Sequence, residues 1–252
     1  SVTDNTISDI SDEPATWAAC GLLLIGPAAD ITVSDNTLND NQIGAYLIDL
    51  GGTVSDNSVT YTTANMGATP YWWGIVADPG EGNERQILAS PFDVEVEQPA
   101  DAPDAPMLIT TTIDNNTLEG DGNGVGIEAD AFGSETLDVT ITSNTVENFD
   151  YAVALYEEQP GATLTATLLG NMLTNSGQVG TGVGVLEGVE ATIGGTGVGE
   201  GNAISGFATG VDVDGATASI VGNKIDSNEL GVLFEDGATS TAFSYNNITN
   251  NT

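Results

Sequence analysis

Carboxylates are the side chains in this sequence with the most capacity for chemistry, and they recur in one setting. A small residue opens a run of alternating apolar positions and an acid closes it. Asp49, Asp78, Asp130, Glu157, Glu187, Asp214 and Glu235 each end such a run. Like charges held close together raise one another's proton affinity or recruit cations. Ca²⁺ accepts roughly six to eight oxygen ligands and suits a ladder of this kind. The acid shifts by one residue between runs, and neither an EF-hand loop nor an RTX-type nonapeptide is present. The expectation is therefore a diffuse atmosphere of Ca²⁺ or other cations rather than one tight site; no other cofactor is called for. Two carboxylates at a suitable separation are also the minimum for glycoside hydrolysis. Asp212 and Asp214, on one strand edge near Glu187 and Glu235, are the candidate group. In a chain with 37 acidic residues a solvated acidic face accounts for them as well, and no catalytic residue is assigned.

The elements that must position these acids are set by a repeat. An apolar residue, two variable residues, Asn, one variable residue and then Ile, Leu or Val recur along the chain. The copies are Val2…Asn5…Ile7, Val33…Asn36…Leu38, Val54…Asn57…Val59, Ile113…Asn116…Leu118 and Ile141…Asn144…Val146. Leu168…Asn171…Leu173, Ile220…Asn223…Ile225 and Phe243…Asn246…Ile248 follow the same template. Asn202…Ile204 keeps its second half, because Gly194 to Gly201 is inserted before it. Each copy leads into an acid-terminated run, and apolar residues two apart are a strand signal. Val211 and Val213 then face inward while Asp212 faces water.

Successive asparagines lie 21 to 31 residues apart, except for the 59 between Asn57 and Asn116. That spacing accommodates two or three short strands per turn, and no segment sustains a helical period. The predicted fold is all-β: a right-handed parallel β-helix (solenoid) of about nine coils, one domain over residues 1–252. Nine coils rise roughly 40 Å at the usual strand separation. The asparagines would stack into a ladder passing amide hydrogen bonds from coil to coil, satisfying groups otherwise buried unpaired. The long gap holds residues 79–107, rich in proline and acid, read as one long inserted loop leaving the third coil, with a small hairpin near Phe92 to Val96.

Aromatic residues give a second surface hypothesis. Trp17 precedes the acid-terminated run of the first coil, and Tyr71, Trp72 and Trp73 precede that of the third. On one side of the solenoid these rings would offer platforms for glycans, with apolar area as the driving force; the competing reading has them covering a turn or the base of the insertion. Asn115, Asn247 and Asn250 each begin an Asn-x-Ser/Thr sequon that an external protein could glycosylate in a suitable host. Cys20, the single cysteine, sits in an apolar run and reads as a buried, inert thiol.

The repeats resemble the pectate-lyase-like right-handed parallel β-helix repeats of secreted and surface proteins. Residues 193–206, IGGTGVGEGNAISG, are similar to the Gly-Gly-Thr…Gly-Asn-x-Ile-Ser-Gly repeat of that group. The resemblance covers nearly all of the chain outside residues 79–107. It implies the fold far more sharply than the function, since this fold hosts lyases, hydrolases, epimerases, tailspikes, adhesins and structural proteins. Lyases of the fold rely on Arg or Lys, whereas Arg85 and Lys224 are the only two cations here and stand apart. Polygalacturonase-like hydrolases combine aspartates with a histidine and an Arg-x-Lys segment, and the chain has neither.

Charge narrows the partners and the setting. The formal net charge is −35. A phosphate-binding surface cannot be assembled from two cations, so nucleic acid is excluded, and the apolar run around Cys20 is too short to insert in a membrane. Such self-repulsion opposes compaction at low ionic strength and is screened near molar salt. These features point to a non-catalytic extracellular or cell-surface scaffold, adhesive or filament-forming, from a salt-adapted microbe. The alternative is a carbohydrate-active enzyme of glycoside hydrolase type, or a glycan-binding spike. The sequence starts and ends mid-pattern, which reads as a piece of a longer protein with further repeats of the same chain, or self-association, at its ends.

Overall fold

Each coil begins with a strand whose apolar side chains alternate with Thr, Ser or acid. In Thr136–Thr142, Leu137, Val139 and Ile141 are fully buried, while Thr136, Asp138 and Thr140 remain half exposed on the outer face. β-Branched threonine suits a pleated surface that is buried on one side only. A sharp bend follows. The residue before the ladder asparagine is left-handed in Asp4 (φ 59°), Asp35 (57°), Asp56 (57°), Asn115 (54°) and Ser143 (56°). Asp and Asn tolerate this region better than other non-glycine residues. Part of the acidic composition is therefore bend chemistry.

After the bend comes a strand of three residues with a single inward aliphatic, as in Thr37–Asn39 (Leu38) and Thr145–Glu147 (Val146). A second left-handed residue then turns the chain again: Asp9, Asp40, Asn148, Ser227 or Asn250. The third strand, such as Val125–Ala131, carries the acid-terminated pattern back to the start of the next coil.

The computed structural model describes residues 1–10, 19–26, 30–62, 72–79, 108–131, 136–157 and 161–252. Among the described residues these strands stack into three parallel sheets of nine, nine and eight strands. The architecture is the expected parallel β-helix, and connected parallel strands take the right hand almost without exception. Equivalent residues are in register: Ile113, Ile141 and Leu168 in the first sheet, Leu118, Val146 and Leu173 in the second, Ile127, Val153 and Val183 in the third. One continuous apolar column fills the interior. Thr111 is a polar intruder in it, satisfied by donating to the Leu50 carbonyl at 3.3 Å.

The stack continues across the long sequence gap. Leu108–Asp114 pairs directly with Gly52–Ser55, and the Asn57 amide donates to Asn116 Oδ1 at 3.0 Å. Residues 80–107, with Arg85 and the segment Phe92 to Val96, lie outside the described residues, as do Trp17 and Tyr71. Among the described residues no helix is long and apolar enough to cross a membrane.

Candidate functional site

The ladder asparagines face inward and repeat one arrangement. Asn144 Oδ1 accepts from the Asn116 backbone N–H and side-chain amide, both at 2.9 Å, while Asn144 Nδ2 donates to the Ile113 carbonyl and to Asn171 Oδ1. The same pattern links Asn5, Asn36, Asn57, Asn116, Asn144, Asn171, Asn202, Asn223 and Asn246 in order. From Asn36 to Asn223 both the oxygen and the nitrogen of each side-chain amide are committed to the fold, so chemistry belongs to the outward positions.

A second asparagine set escaped the sequence reading. Asn41, Asn175 and Asn228 are buried at the second bend, and Asn228 receives the Phe207 N–H while donating to the Ile204 carbonyl. Asn41, Asn228 and Asn251 each lie five residues after a ladder asparagine, a spacing that the sequence displays. In three coils without this asparagine an aromatic ring fills the place: Tyr61, Phe149 and Phe207 are all buried.

That filling decides the fate of the tryptophans. Trp72 is 4% exposed and its ring stacks on Tyr61 at 6.0 Å, which leaves no face for a sugar. Trp73, one residue later, points outward from the first position of Trp73–Asp78 and stays half buried. Its indole N–H donates to Glu128 Oε2 at 2.9 Å. Beside it Tyr46 donates its hydroxyl to Asp78 Oδ2 at 2.6 Å. Ile43, Tyr46, Trp73, Val76 and Glu128 together line a shallow depression of about 190 Å³ on the outer face of the third sheet.

The acids occupy two neighbouring files on that face rather than one ladder. Asp130 lies opposite Tyr156, Asp78 opposite Ile48, and Asp214 opposite Glu235. Asp49 (φ 56°) and Glu157 belong one residue further on, at the bend. Glu157 Oε1 there accepts the Leu164 N–H at 3.1 Å, and Glu187 is exposed. Asp49, Asp78 and Asp130 are buried despite their outward direction, under 10% exposed each. Among the described residues no group of three or more His, Cys, Asp or Glu side chains is placed to hold a metal ion.

Asp212 is a perturbed acid of the face. It projects outward two residues before Asp214, and its Oδ1 is buried without a hydrogen-bond partner among the described residues. Burial, and then the Asp214 charge, push its carboxyl above the ordinary value. Tyr151 nearby is raised by burial first and then by Asp150 and Asp212. Glu235, next to Asp214, is also raised, with burial ahead of the Asp212, Asp214 and Asp236 charges. Cations do little here: Lys224 Nζ meets Asp226 Oδ2 at 3.7 Å on the second sheet, an exposed pair.

The sequons lie at the surface. Asn115 and Asn250 are exposed bend residues whose amides donate to Asp56 and Asp226, and Asn247 is exposed on a strand.

No curated protein and no solved structure matches the chain. A family model described as periplasmic copper-binding protein (NosD) matches residues 108–252, the uninterrupted run of coils from the fourth strand of the first sheet onward. That match spans more than half of the 252 residues, and with its parallel β-helix coils the chain belongs to the NosD family.

Proposed function

We propose that this chain is a non-catalytic β-helix scaffold working outside the cytoplasm of a salt-adapted cell, with the outer face of the third sheet as its contact surface. One observation carries the reading. The side chains able to do chemistry are tied to one another along a sheet face, Trp73 to Glu128 and Tyr46 to Asp78, instead of converging on a cleft around a reacting atom. The periplasmic description of the family supports a place outside the cytoplasm. The depression beside Trp73 is the place on that face for a glycan ring or another flat apolar group.

The ladder has a polarity: each asparagine sends its backbone N–H to Oδ1 of the next coil. Further coils of the same repeat, from this polypeptide or from another subunit, extend that rule without new chemistry.

Asp212 supports a second reading. A carboxyl whose proton affinity is raised by burial, with a second carboxylate two residues away, is the kind of pair a glycoside hydrolase uses. Incubation with a panel of neutral and acidic polysaccharides, followed by reducing-end assay, separates the two. The scaffold reading expects no release. Release that disappears in both Asp212→Asn and Asp214→Asn establishes the hydrolase instead.

A further inference from the structure

The family description brings copper with it, and the donor chemistry of this chain can be set against that metal. Copper is held in proteins by imidazole, thiolate and thioether groups, with Cu(I) favouring sulfur. The 252 residues contain no histidine, one cysteine and three methionines. Cys20 opens the first strand of the third sheet, partly buried, and burial pushes its thiol up to about 11. The thiolate, which is the ligand form, is therefore suppressed near neutral pH.

The two sulfurs among the described residues, Cys20 and Met172, are also far apart. Met172 lies on the outer face of the second sheet, flanked across the coils by Thr145 and Ala203. Cys20 belongs to the first coil and Met172 to the sixth. Five coil spacings separate them by about 24 Å along the axis, several times the span of a shared ion. Met66 and Met107 lie outside the described residues, and neither has a second sulfur within three residues in the sequence. The residues present do not fit copper.

We infer that this chain builds no copper-selective site from its own side chains, and that the cations it attracts, Cu(II) included, are bound through oxygen alone. The outward donors of the third sheet are carboxylates: Asp78, Asp130, Asp212, Asp214 and Glu235. Oxygen donors of this kind select hard cations such as Ca²⁺ and Mg²⁺. Within the family, this chain then contributes the solenoid and its acidic face, and copper ligands must come from another polypeptide or from segments with different residues.

Competition for Cu(I) tests this directly. The protein is titrated under reducing, anaerobic conditions into Cu(I) held by bicinchoninate, and the chelate absorbance is read. The expected result is an unchanged absorbance at one and at ten equivalents of protein. Withdrawal of one equivalent of copper overturns the inference, and its loss in Cys20→Ser would identify the ligand. A second arm loads Cu(II) at pH 7 and records the electron paramagnetic resonance spectrum. Oxygen-only parameters, with the signal from bound copper falling at least tenfold under millimolar Ca²⁺, are expected. Nitrogen superhyperfine lines that survive Ca²⁺ would overturn it.

Discussion

At the scale of the residue, asparagine and aspartate have divided the labour. Asn144 makes its hydrogen bonds inside a column where water cannot replace them. Asn144→Ala strands the Asn116 N–H and the Ile113 carbonyl, and the cost is on the order of 3 kcal/mol. Urea unfolding should show that loss, while Asn5→Ala at the exposed first rung costs less than about 1 kcal/mol because water can substitute there. Asp212 acts in the opposite sense. Its folded-state pKa is raised above the ordinary 3.8, so the native state binds the proton more tightly than the unfolded chain. The penalty is present above the folded pKa, is relieved as pH falls through it, and is absent below the unfolded value. Asp212→Asn should therefore raise the urea midpoint at pH 7, with the gain vanishing by about pH 3.5, below that unfolded value. A midpoint that drops at pH 7 would count against the burial of that carboxyl. The ladder was legible in sequence because its spacing and flanking aliphatics repeat. The contrast between Trp72 and Trp73 was not: a strand begins between them, which sends one ring into the bend and the other outside.

At the scale of the element, the third strand depends on a row of small residues. Gly44, Gly74, Gly126, Gly182, Gly210 and Gly231 sit where that strand crosses the aliphatics of the second sheet, with Ala152 in the same row. A Cβ on Gly44 would stand 2.9 Å from Val59 Cγ1, and one on Gly210 would stand 2.9 Å from Ile225 Cγ2. Their φ angles are ordinary, so the demand is for space rather than for a left-handed backbone. Gly210→Ala should cost about 1–3 kcal/mol, the range for overpacking a close-packed core. Thermal melts would register it, whereas Ala152→Gly should cost less, about 1 kcal/mol. The sequence announced each of these strands through its small residue and alternating apolar positions. It also showed the acid shifting by one residue between runs, but not which residues stand opposite one another. The acids fall into two files because strand length varies by a residue, and Tyr156 and Ile48 stand in the file of Asp130 and Asp78. The second asparagine set was missed for a related reason: Asn shares its place with buried aromatics, Ile10 and Gly120, so no one residue type repeats along the chain.

At the scale of the whole molecule, charge is arranged on a shaft. The bend aspartates Asp4, Asp35 and Asp56 belong to consecutive coils, as their stacked backbone hydrogen bonds show, and all three are exposed. Strand stacking sets them about 4.8 Å apart, well inside the screening length of about 10 Å at 0.1 M salt. The fold requires left-handed residues at these positions, so the repulsion cannot be relaxed by moving the acids without losing the bend. At 1 M salt the screening length drops to about 3 Å, shorter than the coil spacing, and neighbouring rungs cease to repel. With a net charge of −35 this argument extends along the whole chain. The urea midpoint should rise steeply between 0.1 and 2 M NaCl, and replacing Asp35 and Asp56 with Asn, which keeps the bend preference and removes the charge, should flatten that rise. A midpoint indifferent to salt in the parent protein would remove the salt-adapted reading. A rise of equal size in the Asp35→Asn/Asp56→Asn variant would move its origin away from the bends and onto the buried acids of the third sheet.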